Sequence, residues 1–229
     1  LHVHLDGSLR LSTLIDLARS KNVTLPSYTE EGMSEMVFKE RYADLVEYLQ
    51  GFQYTCAVMQ DAESLERVSY EFMQDNIEEG VRYVEVRFAP QLHINSTLGW
   101  REVFSAVNRG LRKARDEANQ AIAARKAIEP LYEYGIIVCA LRAFDSGSSE
   151  YYSRFYDVHR FTPRKDIFAL ASLELARAAV KYRDEDGIPI VGFDLAGQEK
   201  GYPAIDHLKA YIYAQRNFLK KTVHAGEAY

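Results

Sequence analysis

Several features that would define other protein classes are scarce or missing here. No run of about 18 apolar residues occurs, so the sequence indicates no membrane-spanning helix. Lys and Arg number 28 against 33 Asp and Glu, and this acidic balance argues against nucleic acid as a partner. The two cysteines, Cys56 and Cys139, are far apart in apolar surroundings, which favours a reducing, cytoplasmic location. No predicted strand is followed by a glycine-rich phosphate-binding fingerprint, which argues against a dinucleotide-binding fold.

What is present predicts one α/β domain over residues 1–229. The composition is 47% hydrophobic and 27% charged, enough for a sizeable core, and no linker divides the chain. Apolar runs alternate with helical patterns, which is typical of parallel strands joined by crossover helices. The predicted strands are 1–5, 81–88, 135–141, 188–195 and 220–224.

Two longer segments interrupt this alternation. Residues 11–60 have room for two or three helices instead of one after the first strand, and residues 144–166 show no clear period. Parallel strands with crossover helices fit a doubly wound sheet or a (β/α)8 barrel. Polar side chains at the C-terminal strand ends, where barrel enzymes build their sites, favour the barrel.

Histidines mark both ends of the chain. His2 and His4 alternate on the first strand, so their imidazoles point to the same side, and Asp6 follows where the strand opens into a loop. His224 follows the fifth strand, with Glu227 three residues later. Two imidazoles on one strand face can reach one metal ion, so the first strand predicts a metal site at its C-terminal end.

Five strings carry a resemblance to a known family. HVHLDGSL, YVEVRFAP, the strand ending in LR, FDLAGQE and TVHAGE occur in this order along essentially the whole chain. Together they resemble the N-terminal two thirds of the adenosine deaminase family. The resemblance implies a (β/α)8 barrel that needs zinc and converts adenosine, and usually deoxyadenosine, to inosine or deoxyinosine with release of ammonia. The H-x-E and P-C-x-x-C pair of deaminases that act on nucleic acids is missing.

The resemblance also implies roles for single residues. His2, His4 and His224 would bind zinc, and Glu227 would face N1 of the purine. The substrate, a small purine nucleoside, would meet the Asp6 carboxylate at its ribose 5′-hydroxyl. The backbone N–H of Gly197 would donate to the purine ring. Four further residues would form the apolar wall of the pocket: Tyr48, Leu49, Phe52 and Leu92. Gln198 departs from the aspartate that many family members carry.

The chemistry gives a reason for these residue types. Zinc lowers the pKa of bound water towards about 7. A protonated Glu227 would supply a proton to N1, so we expect an apolar environment that raises the pKa of Glu227.

A closed barrel of roughly 350 residues would need about 100 to 130 residues after Tyr229. We expect those residues to supply a further histidine and two aspartates.

Three alternatives stay open. A deaminase of adenine or another 6-aminopurine compound shares the same motifs, although the aspartate at position 6 suits a ribose hydroxyl. Binuclear amidohydrolases also begin with H-x-H, but FDLAG holds no lysine. A catalytically incomplete relative could act as a binding protein. His93, His159 and His207 match no ligand position and are interpreted as surface or packing residues, and the oligomeric state is left open.

Overall fold

A parallel sheet forms the centre of the protein. A computed structural model describes residues 3–125 and 128–227. The strands pair in chain order, β1-β2-β3-β4, and every pair is parallel. Their bounds are β1 Tyr83–Phe88, β2 Glu133–Leu141, β3 Ile190–Ala196 and β4 Lys220–Lys221. Sequential parallel neighbours with helical crossovers are the arrangement of part of a (β/α)8 barrel, which confirms the predicted fold class.

Helices precede the sheet and connect its strands. One follows β1, two lie between β2 and β3, and one lies between β3 and β4. The helices of the described ranges are α1 Leu11–Lys21, α2 Glu30–Met36, α3 Leu45–Leu49, α4 Phe52–Val58, α5 Ala62–Glu78, α6 Trp100–Ala124, α7 Glu150–Val158, α8 Arg164–Asp186 and α9 Leu208–Arg216. Within this part of the chain no helix is both long and apolar enough to cross a bilayer.

The helix pair α5 and α6 packs unusually closely. Asp61 caps α5 by accepting a hydrogen bond from the Ser64 N–H at 2.9 Å, and Gly80 follows the helix with a φ of +78°. A Cβ at Gly110 of α6 would lie 2.2 Å from the Glu66 carbonyl oxygen of α5. The two helix backbones can therefore approach this closely only because position 110 has no side chain.

The predicted end strands are shorter than expected. Residues 1 and 2 lie outside the described ranges, and His4 forms a single parallel bridge with Arg87 of β1. Leu5–Gly7 is a 3₁₀ turn, because the His4 carbonyl accepts hydrogen bonds from Gly7 N–H and from the Ser8 hydroxyl. At the other end, β4 stops at Lys221, although His224 N–H still donates to the Leu195 carbonyl at 3.0 Å.

The two irregular segments are both helical in part. Residues 11–60 hold α1 to α4, more than the two or three helices expected. Residues 144–166 contain α7, capped by Ser149, whose hydroxyl accepts a hydrogen bond from Tyr152 N–H at 3.3 Å. Tyr152 is buried and stacks on Phe144 with a centroid distance of 3.8 Å. This segment packs as a small second cluster beside the main core.

Candidate active site

One cavity of about 1220 Å³ lies at the C-terminal ends of the strands. It brings together the residues that the sequence singles out, with the exception of His2, which lies outside the described residues. The cavity lining includes His4, Asp6, Tyr48, Leu49, Phe52, Leu92, Gly197, His224 and Glu227. They come from turns and helices that are separated by more than 200 residues along the chain.

Two of the three predicted zinc ligands, His4 and His224, meet across the barrel interior. His4 stands beside β1 at one edge of the sheet, whereas His224 follows β4 at the other edge. Their Nε2 atoms are 2.9 Å apart. Two nitrogens bound to one tetrahedral zinc ion lie about 3.3 Å apart, so a small rotation of either ring would suffice to hold the ion. The donor set fits zinc, for which imidazole is a common ligand.

A buried carboxylate orients His224. The Nδ1 atom of His224 lies 3.0 Å from Asp194 Oδ2, which also accepts a hydrogen bond from Arg87 at 2.9 Å. Burial works against ionisation of Asp194, but hydrogen bonding and charge from His224 outweigh it and hold its pKa below the ordinary value. A carboxylate on Nδ1 leaves Nε2 directed at the cavity, as in metal-binding histidines generally.

A second buried arginine holds the loop that carries His224 and Glu227. The Arg142 guanidinium donates to the carbonyl oxygens of His224 and Tyr202. The Glu199 carboxylate accepts hydrogen bonds from the backbone N–H groups of Gly226 and Glu227, all between 3.0 and 3.1 Å. The loop is therefore fixed from both sides, by a cation on its carbonyls and by an anion on its N–H groups.

Asp6 is poised to accept a further hydrogen bond. Its side chain is buried, and Oδ2 accepts from the Ala89 N–H at 3.1 Å. Oδ1 has no hydrogen-bond partner within the described residues, and it lies 3.8 Å from His4 Nδ1. Burial raises the pKa of Asp6 to about 6.

Aromatic side chains form one wall of the cavity. Tyr48 of α3 and Phe52 of α4 make an edge-to-face contact with a centroid distance of 5.9 Å, and Phe52 contacts the His4 ring in the same way at 6.3 Å. Gly197, on the opposite side, has a φ of +98°, a conformation that favours glycine. The cavity lining therefore combines an aromatic wall with the backbone of Gly197.

One expectation about the site is not met. Glu227 lines the cavity, but it is exposed rather than enclosed by apolar groups. The three residues of its loop, 225–227, are all exposed. Sequence reasoning also gave no role to Arg87, Asp194, Arg142 or Glu199. Charged residues inside otherwise apolar strands were the available signal for the first three.

Comparisons with known proteins identify the family of this chain. A family model described as adenosine deaminase matches residues 1–160 and 141–229. The chain is 36% identical over 228 residues to a probable adenosine deaminase of Dictyostelium discoideum, covering 99% of this chain and 25% of that protein. It is 36% identical over 231 residues to the adenosine deaminase of Mycobacterium avium, covering 100% of this chain and 54% of that protein. The chain belongs to the adenosine deaminase family and spans about half or less of these relatives.

Solved structures share the fold. Arabidopsis ADAL complexed with GMP gives a TM-score of 0.69 at 25% identity and covers 100% of this chain and 57% of its own. The adenine deaminase of Arthrobacter aurescens gives 0.66 at 20% identity, with coverage of 98% and 56%. An amidohydrolase from Burkholderia ambifaria with bound Zn gives 0.66 at 17% identity, with coverage of 98% and 50%. The last two likenesses concern the fold alone.

Proposed function

We propose that the full-length protein is a zinc-dependent hydrolase that deaminates adenosine and deoxyadenosine to inosine and deoxyinosine with release of ammonia. The observation that carries this proposal is the convergence of His4 and His224, with nitrogens 2.9 Å apart, in the cavity that Asp6 and Glu227 also line. Membership of the adenosine deaminase family supports the reaction type. His2, the third histidine of the motif, would complete the ligand set from this chain.

Zinc would supply a water-derived nucleophile at neutral pH. The chain's own residues would do the rest. Glu227 would hold a proton against N1 of the purine, so that negative charge does not build up on the ring as C6 becomes tetrahedral. Asp194 would keep His224 in the tautomer that presents Nε2, and the loop bonds from Arg142 and Glu199 would keep Glu227 beside it.

Substrate orientation would come from three sides of the cavity. Asp6 Oδ1 would accept a hydrogen bond from the ribose 5′-hydroxyl, which would also satisfy its unpaired buried oxygen. The Gly197 N–H would donate to the purine ring. The edge-to-face pair Tyr48 and Phe52, together with Leu49 and Leu92, would cover the apolar faces of the nucleoside and exclude water.

Replacement of the proposed acid tests the reaction. Glu227→Gln should keep zinc but lose at least about 10²-fold in kcat, since an amide can bond N1 but cannot deliver a proton. Glu40→Gln is the matched control, because Glu40 is an exposed glutamate on the rim of the same cavity. The ultraviolet change from adenosine to inosine measures both variants. Equal rates for the two variants would contradict the role of Glu227.

A second variant tests the substrate. Asp6→Ala should raise KM for adenosine more than for adenine, because the lost contact is to the sugar. Asp145→Ala, at an exposed aspartate of the cavity rim, serves as the control. If adenosine kinetics do not change and the wild type prefers adenine, the protein is an adenine deaminase instead. If neither compound nor another 6-aminopurine is turned over, the chain belongs to a catalytically incomplete binding protein.

A further inference from the structure

A second group of side chains that could hold a metal ion shares Asp6 with the cavity, whereas its other two members do not line the cavity. Ligand atoms of Asp6, Cys56 and His93 all lie within 4.8 Å of one another. The three residues come from different elements: the turn after the first strand, helix α4, and the position that follows the 3₁₀ turn Pro90–Leu92. His93 is fully buried, Asp6 is 2% exposed, and Cys56 is partly exposed.

Each of the two fully enclosed members has one satisfied and one unsatisfied polar atom. His93 Nδ1 lies 3.1 Å from the Met59 carbonyl oxygen, whereas Nε2 has no hydrogen-bond partner in the described ranges. Because a carbonyl oxygen can only accept, Nδ1 carries the proton and the neutral ring presents a lone pair at Nε2. Asp6 likewise uses Oδ2 for the Ala89 N–H and leaves Oδ1 unpartnered.

Buried polar atoms without hydrogen-bond partners destabilise a folded protein, so two of them beside a thiol need an explanation. A bound cation provides one. Thiolate, imidazole and carboxylate are the ligands that zinc and cadmium prefer, and the two negative charges would neutralise a divalent ion. The Met59 carbonyl and the Ala89 N–H would orient the imidazole and the carboxylate from behind, as outer-shell groups do in metal sites.

The spacing is compatible with this chemistry. In a tetrahedral zinc site, a sulfur and a nitrogen ligand lie about 3.5 Å apart. Nitrogen and oxygen ligands lie about 3.3 Å apart, so no pair of the three atoms here would have to move closer by more than roughly 1.5 Å. A water molecule would fill the fourth position.

We propose that Asp6, Cys56 and His93 form a second metal site, which binds a thiophilic divalent cation such as Zn²⁺ or Cd²⁺. Occupancy would turn Asp6 Oδ1 from a hydrogen-bond acceptor for substrate into a metal ligand. The cation therefore competes with substrate for Asp6 and inhibits the enzyme. This inhibition rests on the proposed function, whereas binding of the cation does not.

Cadmium titration of the full-length protein, loaded with one equivalent of zinc, tests the site. We expect a further equivalent of cadmium by equilibrium dialysis, with thiolate-to-metal charge-transfer absorption in the ultraviolet. Cys56→Ser should lose this absorption, and His93→Gln should weaken binding by at least about 10-fold. Two matched controls should retain the site: Cys139→Ser, at the other cysteine, and His207→Gln, at another buried histidine.

The outcomes separate this inference from the proposed function. Absence of a further cadmium equivalent in the wild type would overturn the site, as would unchanged binding in both Cys56→Ser and His93→Gln. Cadmium should also raise KM for adenosine in the wild type and not in Cys56→Ser. If the protein binds the extra cadmium through Cys56 but turns over no 6-aminopurine, the proposed function is wrong and the second site stands.

Discussion

The interaction of Asp194 with Arg87 and His224 allows a sharp prediction, because one carboxylate serves two partners. Asp194 is fully buried on β3, and its Oδ2 contacts Arg87 from β1 at 2.9 Å and His224 at 3.0 Å. Asp194→Asn keeps the shape of the side chain but removes its charge. The Arg87 guanidinium is then left buried without a counterion, and His224 loses the acceptor that fixes its tautomer.

Two losses of different size are expected from Asp194→Asn. Removing one partner of a buried ion pair costs about 3 to 5 kcal/mol of folding stability, which urea-induced unfolding of the full-length protein would measure. Loss of an outer-shell carboxylate should reduce zinc affinity by about 10- to 100-fold, which competition with a chelator would measure. Because unfolding also releases metal, affinity should be measured at a urea-free condition where circular dichroism shows the variant folded.

Asp184→Asn is the matched control for this experiment. Asp184 forms an ion pair with Arg183 at 2.7 Å, but it is 57% exposed, so its loss should change neither stability nor zinc affinity appreciably. If Asp194→Asn destabilises the protein while zinc affinity stays within about 3-fold of the wild type, Asp194 serves Arg87 alone and the orientation argument for His224 is refuted.

Two further predictions concern packing and pH. Gly110→Ala should lower the free energy of unfolding by about 1 to 3 kcal/mol, because its Cβ would meet the Glu66 carbonyl at 2.2 Å. Gly147→Ala, in an exposed turn, is the control and should lower it far less. The midpoints of urea-induced unfolding compare the two variants. Burial lowers the pKa of His207 from 6.5 to about 4. The free energy of unfolding should therefore be highest above pH 6.5 and fall by up to about 3 kcal/mol towards pH 4, because the unfolded chain binds a proton at His207 more readily than the folded protein does. His207→Gln should flatten this dependence in unfolding curves recorded across that range.

The sequence predicted the central strands because burial on both faces leaves a continuous apolar run. Residues 135–141 form such a run, and the structure extends it only to Glu133–Leu141. Helix ends were also predictable where one residue dominates, as at Gly187, which ends α8 in the left-handed conformation. The end strands were overestimated, since their length depends on hydrogen bonds with neighbours and not on local pattern.

Helix α7 shows why the segment 144–166 gave no period. The helix covers only Glu150–Val158, and the residues before and after it are irregular. Its aromatic side chains do form a stripe at helical spacing, which packs on the cluster around Phe144, but the stripe is only about two turns long: Tyr151, Tyr152, Phe155 and Tyr156. The cap residue Ser149 was the other local signal, and a single serine is too common to predict a helix start.

The candidate site shows the same limit more clearly. The histidine motifs are short and lie at recognisable strand ends, so local pattern found them. The ion pair between Arg87 and Asp194 joins residues that are 107 positions apart, and nothing near either residue indicates the other. Sequence alone therefore identified the groups proposed to meet metal and substrate, and missed the buried charges that orient them.

The string FDLAGQE shows how a motif can be recognised before its physical role is known. Its departure at Gln198 raised doubt about local hydrogen bonding. In the structure, Gln198 lines the cavity, whereas the adjacent Glu199 makes the bonds to Gly226 and Glu227. The substitution therefore leaves the contacts that hold the Glu227 loop intact. Because Arg142 holds the same loop through the His224 carbonyl, the third, fourth and fifth predicted strands position the proposed acid together.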